Sequence, residues 1–267
     1  MAIDQNLLLP RVYASYEAAL GDCGAGYDDA AMNAVRFFKA ANVIQALLGD
    51  AHAGNGAVAT AGETIQVFRI IEQLRGPQLN VLDFGGGFAL TYFLLRKWVP
   101  LQYRWAVVET PMAAAMGRAF ESEALRFFDD INLAKQWLDS VDVVHSNAAL
   151  QYVPSPEAVL DQFLSIRAPY LALLRCSLSH SGRAVQVQES MLSMQYIGPL
   201  PAAVRDTAIR YPHTSLAQGL FDAKIANMGY TLLASAAGNE HRTNEVQLLH
   251  DDHRLYRRST RPVQGSD

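Results

Sequence analysis

The chain has 267 residues, half of them hydrophobic and 18% charged, an ordinary globular composition that excludes an intrinsically disordered chain. Its formal charge of -4 and isoelectric point near 6.0 give no electrostatic ground for a nucleic-acid partner, so a small molecule is the expected partner. Cys23 and Cys176 lie far apart and outside any C-x-x-C pair, which argues against a disulfide scaffold or zinc ribbon and suits a reducing, cytoplasmic setting.

The opening stretch "MAIDQNLLLPRVYASYEAAL" has an acid ahead of its short apolar run and no basic leader. No later stretch stays apolar for the ~20 residues that a membrane span needs, so a soluble chain is expected. From Asp28 to Leu48 the pattern predicts a helix, with acids at its start and Val35, Phe38, Val43 and Leu47 recurring at helical spacing. "GDAHAGNGAVATAG", Gly49 to Gly62, reads as a flexible link. A second helix is predicted from Glu63 to Arg75, started by Thr60 and Glu63 at capping-box spacing and stopped by Gly76-Pro77.

After Pro77 short apolar runs alternate with helical ones, which is how a parallel sheet with covering helices is written. The predicted strands are Leu79 to Asp83, Tyr103 to Glu109, Leu125 to Phe128, Val141 to Ser146 and Tyr170 to Arg175. The predicted helices between them are Ala89 to Val99, Ala113 to Glu121, Leu133 to Leu138 and Ser155 to Ile166. Residues 179–215 read as an inserted segment over the strand carboxyl ends, and Leu216 to Met228 as a helix stopped by Gly229. "YTLLASA" and "NEVQLLH" then read as an antiparallel hairpin with its turn at Gly238 to Arg242, and "DDHRLYRRSTRPVQGSD" as a fraying polar tail. The expected organisation is an N-terminal helical cap over 1–76, an α/β sheet domain over 77–250 and a tail over 251–267.

"NVLDFGGGFAL" carries the first functional signal: a strand ending in Asp83, then Gly85, Gly86 and Gly87, then a helical run. Glycines at a strand-to-helix turn let a ligand lie on backbone, and the next strand ends in a second acid, Glu109, placed to accept ribose hydroxyls. In such sheets the ligand lies beyond the strand carboxyl ends where strand order reverses. The nicotinamide fingerprint fails, because Leu90 stands where its third glycine belongs, and the Walker lysine is missing. An acid ahead of the glycines repels phosphate and suits a cationic amino-acid tail, which favours S-adenosylmethionine (SAM).

"VLDFGGGFALTYFLLRK", "RWAVVETP", "SNAALQYVPSPEAVLDQFL" and "APYLALLRCSLS" together resemble a family of class I SAM-dependent methyltransferase-like proteins of bacterial polysaccharide and secondary-metabolite clusters, over about Tyr27 to Leu233. The resemblance implies a seven-stranded Rossmann-like sheet with a reversed last strand. It implies that Asp83, Gly85 and Gly87 line SAM, that Glu109 holds the ribose, and that Asp129 or Asp130 meets the adenine. It also places Asn147, Gln151 and Tyr152 facing the reacting sulfonium, the alternative being that Asn147 only caps its strand end. The chain departs from the family's Asp-Arg-Thr-Pro type sequence after the fifth strand, where "LRCSLSHS" keeps only Arg175, and in its Gly/Ala-rich linker.

Tyr13, Tyr16, Tyr27, Phe37 and Phe38 crowd the N-terminal helices, either as aromatic faces for a sulfonium or as core residues pinning those helices to the sheet. The histidines, His52, His145, His180, His213, His241, His250 and His253, form no H-x-x-x-H or H-E-x-x-H pair, so a metal is not expected. His180 and His213 fall in the segment over the site, the position of a base. Three readings follow: methyl transfer to a small molecule; cyclisation of SAM to azetidine-2-carboxylate and methylthioadenosine, as in similar SAM cyclases; or non-enzymatic SAM binding. Alanine at Asp83 or Glu109 is expected to weaken SAM binding without unfolding the chain.

Overall fold

The computed structural model describes residues 11–24, 26–49, 55–242 and 248–259. The N-terminal part holds strand β1 (Val12–Tyr13) and helices α1 (Tyr16–Leu20), α2 (Ala30–Leu48) and α3 (Asn55–Arg75). Asp29 caps α2 through the Met32 amide, as the acids at its predicted start suggest. α3 begins at Asn55, so most of the expected flexible link is helical. Ala57, Ala59 and Ala61 are the strongest helix formers and outweigh Gly56 and Gly62.

There follow β2 (Gln78–Phe84), α4 (Leu90–Trp98), β3 (Gln102–Val108), α5 (Pro111–Gly117), β4 (Leu125–Phe128), α6 (Ile131–Leu138), β5 (Val143–Asn147), α7 (Pro156–Ile166) and β6 (Tyr170–Ser179). Each predicted strand and helix in this stretch is present within a few residues. The chain continues through β7 (Ala184–Met191), β8 (Ala208–Ala217), α8 (Gln218–Asn227), β9 (Tyr230–Arg242) and β10 (Leu248–Arg258).

The main sheet runs β4-β3-β2-β5-β6-β10-β9, with β2 to β6 parallel and β10 antiparallel to both its neighbours. This is the seven-stranded Rossmann-like sheet with a reversed last strand. Its central strands are continuous apolar runs because both faces are covered. Val81, Trp105, Val107, Val143 and Ala172 point to the face under α3 and α4, where Phe68, Ile71, Tyr92 and Leu95 meet them. Leu82, Ala106, Val108, Val144 and Leu171 point to the other, against Leu138 of α6, Phe163 of α7 and Phe221 of α8.

The segment 179–215 is itself largely β structure. β7 and β8 pair antiparallel, β1 adds to β7, and the end of β8 joins β6 at Leu178↔Leu216 and Ser179↔Ala217. The connection from β7 to β8, residues 192–207, reaches back to the end of β2 and carries Tyr196.

Two expectations for the C-terminus are corrected. β9 runs on to Arg242, so the turn is not at Gly238 to Arg242, and residues 243–247 lie outside the described residues. Residues 260–267 of the expected tail lie outside the described residues, but residues 251–258 do not fray. They are most of β10, inserted between β6 and β9, with Leu255 buried on one face of the sheet and Tyr256 on the other. Its charges misled because they are paired in space: Arg254, 6% exposed, is held by Asp252 and by Asp222 of α8. Leu255→Ala is expected to cost about 3 kcal/mol in urea unfolding, the cost of a large-to-small change in a packed core, whereas a frayed tail predicts no change.

Candidate active site

The strand order reverses between β3-β2 on one side and β5-β6 on the other, and a cavity of about 860 Å³ opens there, beyond the strand carboxyl ends. Asp83, Gly85, Gly86, Glu109, Asp129, Asp130, Asn147, Tyr152 and Tyr27 all line it. These residues come from five separate segments, and the parallel register brings their strand ends level: Asp83 stands beside Val107 of β3 and His145 of β5.

Asp83 is fully buried, and both its oxygens are committed. His145 Nδ1 lies 2.7 Å from Oδ1, and Trp105 Nε1–H donates to Oδ2 at 3.0 Å. His145 is itself 1% exposed, and its Nε2 has no hydrogen-bond partner among the described residues. The carboxylate is therefore a fixed negative charge beneath the glycine loop rather than a mobile surface acid.

The three glycines serve this arrangement first. A Cβ at Gly85 would overlap that of Ala149, one at Gly86 the Asp83 carboxylate, and one at Gly87 the Tyr196 hydroxyl. Gly85 and Gly87 also take φ of 68° and 59°, where a side chain is strained. Gly85 and Gly86 line the cavity, while Gly87 is covered by Tyr196.

Glu109, just past β3, accepts from Gly87 N–H through Oε1 (2.8 Å) and from Thr110 N–H through Oε2 (3.1 Å). The Arg36 guanidinium of α2 lies 3.6 Å from Oε1 with both side chains under 10% exposed. Burial opposes the Arg36 charge, and Glu109 with the Tyr196 and Tyr27 hydroxyls more than offsets it, so the guanidinium stays ionised. Its carbon sits 5.4 Å from the Tyr27 ring centre, 5.5 Å from Tyr196 and 5.8 Å from Phe88. Tyr196, at φ 60°, accepts a hydrogen bond from Phe88 N–H at 2.8 Å. Burial raises the pKa of Tyr196 and raises that of Tyr27 strongly, so neither ring hydroxyl is a base near neutral pH.

After β4, Asp129 and Asp130 are exposed at the cavity rim, and Asp130 also caps α6 through the amides of Asn132 and Leu133. After β5, Asn147 is clamped: its Oδ1 accepts from Arg175 Nε at 2.7 Å, and its Nδ2 donates to Thr64 Oγ1 of α3 at 3.3 Å. Tyr152 donates to Gln188 Oε1 at 3.0 Å and packs against Tyr27, ring centres 4.9 Å apart and planes tilted by 44°.

Several expected site residues stand elsewhere. Gln151 does not line the cavity; it is buried and donates to the Arg175 carbonyl at 3.0 Å. His180 is exposed in the turn after β6, because β6 extends five residues past Leu174, the partner of Asn147, and carries the turn away from the cavity. His213 packs against the Tyr152 ring from β8 and does not reach the cavity wall.

Of the five aromatic candidates Tyr27 alone lines the cavity. Tyr13 bonds to Asp22 on the outer side of β1, and Tyr16 donates to the Tyr152 carbonyl. Phe37 packs on Phe88 and Phe120, and Phe38, one step around the helix, is 41% exposed. Arg36, Tyr196, His145 and Trp105 were missed. Arg36 had a signal: Asn33, Arg36 and Lys39 recur at helical spacing, and all three are buried, which marks a polar stripe turned inward.

Among the described residues no group of three His, Cys, Asp or Glu is placed to hold a metal ion, and no helix is long and apolar enough to cross a membrane. No family model and no curated protein matches the chain. It is similar to the N-terminal domain of EvdMO1 with SAH bound, at 16% identity over 74% of this chain and 81% of that one, with a TM-score of 0.47. It is also similar to the sugar N-methyltransferase KedS8 from Streptoalloteichus sp., at 16% identity over 77% and 90% of the two chains and a TM-score of 0.45. A third likeness is to SAM-bound CalS10, an amino pentose methyltransferase from Micromonospora echinaspora, at 16% identity over 71% and 89% and a TM-score of 0.42. The fold itself rests on the strand order described above, not on these likenesses.

Proposed function

We propose that the chain binds SAM in this cavity and transfers its methyl group to a small molecule. The observation that carries the reading is Glu109, fixed at the end of β3 beside the glycine loop by two backbone N–H groups. Each carboxylate oxygen has two acceptor sites, so Oε2 keeps one beyond its bond to Thr110 for a ribose hydroxyl. The cavity volume lies within the roughly 300–1,000 Å³ of small-molecule sites. Asp129 and Asp130 are the groups for the adenine, and the Asp83 charge beneath Gly86 favours a cationic amino-acid tail over a pyrophosphate.

When bound, SAM supplies a sulfonium with an electrophilic methyl carbon. The residues of this chain position and shield. Tyr27 and Tyr152 offer ring faces to a cation, Arg36 holds Glu109 in place, and Asn147 is fixed between Arg175 and Thr64. Of the lining groups among the described residues, His145 is buried against Asp83, Tyr27 and Tyr196 are held protonated, and the carboxylates of Glu109, Asp129 and Asp130 are assigned above to the nucleoside, which leaves none to take a proton from a hydroxyl acceptor. A neutral amine needs no such base before it reacts, so a nitrogen acceptor suits the cavity.

The same observation favours a second reading, in which the nitrogen is SAM's own. A C–N bond then forms at the γ-carbon, the C–S bond there breaks, methylthioadenosine leaves and the amine gives its proton to water, leaving azetidine-2-carboxylate. Incubation with SAM alone, followed by mass spectrometry, separates the two. Methyl transfer predicts intact, bound SAM that yields S-adenosylhomocysteine only when a small amine is added. Equal amounts of methylthioadenosine and azetidine-2-carboxylate, above a protein-free control, establish the second reading. A wild-type chain that binds no SAM removes both.

A further inference from the structure

The cavity contains two guanidinium groups, and they are not equivalent. Arg36 is spent: it is buried, paired with Glu109 and enclosed by three rings. Arg175 is the one exposed residue in the otherwise buried strand β6. Its Nε donates to Asn147, while among the described residues neither of its terminal amino groups has a partner.

Its backbone is unusual. Arg175 takes φ 48°, a left-handed conformation that costs a non-glycine residue stability. The register against β10 shifts at this point, so that Leu174 and Arg175 of β6 stand opposite the single residue His253. A bulge of this kind re-aims a side chain out of the strand's alternation. It falls level with the end of β5, where Asn147 pairs with Leu174, and so turns the guanidinium into the cavity wall. Both flanks are secured, the side chain by Asn147 Oδ1 and the carbonyl by Gln151 Nε2. A strained, doubly held arginine with its fork unpaired has the form of a carboxylate receptor, since the two terminal N–H groups match two carboxylate oxygens.

We infer that Arg175 binds the carboxylate of a ligand in this cavity, supplied either by the amino-acid tail of SAM or by a small carboxylic-acid acceptor. The shared chemistry is one carboxylate on one guanidinium fork. The inference shares its cavity with the SAM reading but does not require the nucleoside.

The test compares wild type, Arg175→Gln and Arg175→Lys. Glutamine and lysine meet the same backbone strain as arginine, so unfolding midpoints close to wild type are expected for both. Arg175→Gly, which relieves that strain, is expected to melt higher. Calorimetry with SAM and with decarboxylated SAM forms the first arm. If the tail is the source, wild type binds SAM at least about tenfold more tightly than the decarboxylated form. Arg175→Gln then erases the difference, and Arg175→Lys, which keeps the charge without the fork, retains part of it.

Acetate, titrated by NMR into the protein with and without SAM, forms the second arm. If an acceptor is the source, acetate gives saturable shifts at cavity residues in wild type that Arg175→Gln loses, while the two nucleosides bind alike. Nucleoside affinities and acetate shifts that are both independent of residue 175 overturn the inference. A wild-type chain that binds neither nucleoside sinks the SAM reading alone, and the acetate arm still decides this one.

Discussion

Asp83→Ala is expected to destabilise the protein by about 4 kcal/mol, because it leaves the buried His145 Nδ1 and Trp105 Nε1 without an acceptor, at about 1–3 kcal/mol for each orphaned group. This exceeds what a surface ligand-binding acid would cost. It also adds a stability cost to the expectation that alanine at this position would weaken SAM binding in an intact chain. Typical domains have about 5–15 kcal/mol in total, so the variant should stay folded without denaturant but unfold at clearly lower urea, and bind SAM more weakly. Asp83→Asn is the informative companion. One oxygen still accepts a hydrogen bond, while the amide faces a donor, so an intermediate loss is expected. A stability equal to wild type in both variants would show that the buried triad is not a unit.

Gly85→Ala should be of similar size, about 3–4 kcal/mol, and should remove ligand binding. Alanine at φ 68° carries about 1–2 kcal/mol of left-handed strain. In addition its Cβ meets the Cβ of Ala149, which cannot swing aside as a long side chain can. Ala149 follows Asn147 and Ala148, itself at φ 53°, so making room displaces the end of β5 and the clamped Asn147. The Gly85 N–H to Val108 carbonyl bond, 2.8 Å, resists a shift in the other direction. The double variant Gly85→Ala with Ala149→Gly separates the two costs: it restores the space but not the backbone preference. About half of the lost stability should return, and recovery of all or none would refute this division.

Much of the fold was legible because local and long-range rules agreed. Strands Leu79 to Asp83 and Leu125 to Phe128 are short apolar runs bounded by turn residues, and both faces of the sheet demanded such runs. Only the start of β10 was legible, Leu248 to His250 at the end of "NEVQLLH", since "DDHRLYRR" beyond it places its apolar residues only at Leu255 and Tyr256. Its Arg254 is tolerable inside because Asp252 beside it on the strand and Asp222, more than thirty residues earlier on α8, both pair with it.

The acid, glycine and second-acid order was readable in the site, because each residue ends a strand in a known topology. What the order did not reveal was how much of the loop's chemistry is taken up within the chain. The glycines leave room for Asp83, Ala149 and Tyr196, and Tyr196 arrives from a connection that no local pattern links to the loop. Among the aromatics, neighbours on one helix were read as a shared wall. Phe37 and Phe38 point about 100° apart, and only one of them can face any given surface.

The central claim is that this cavity holds SAM through Glu109, and calorimetric titration of SAM into wild type and Glu109→Gln tests it most directly. Glutamine keeps the size of the side chain and an oxygen for one backbone N–H, so buried Arg36 loses charge complementarity but not its packing. The account predicts saturable one-to-one binding to wild type and at least about a tenfold loss in the variant, the size of a charge-assisted hydrogen bond. No heat from wild type, or equal affinity in both proteins, would contradict it.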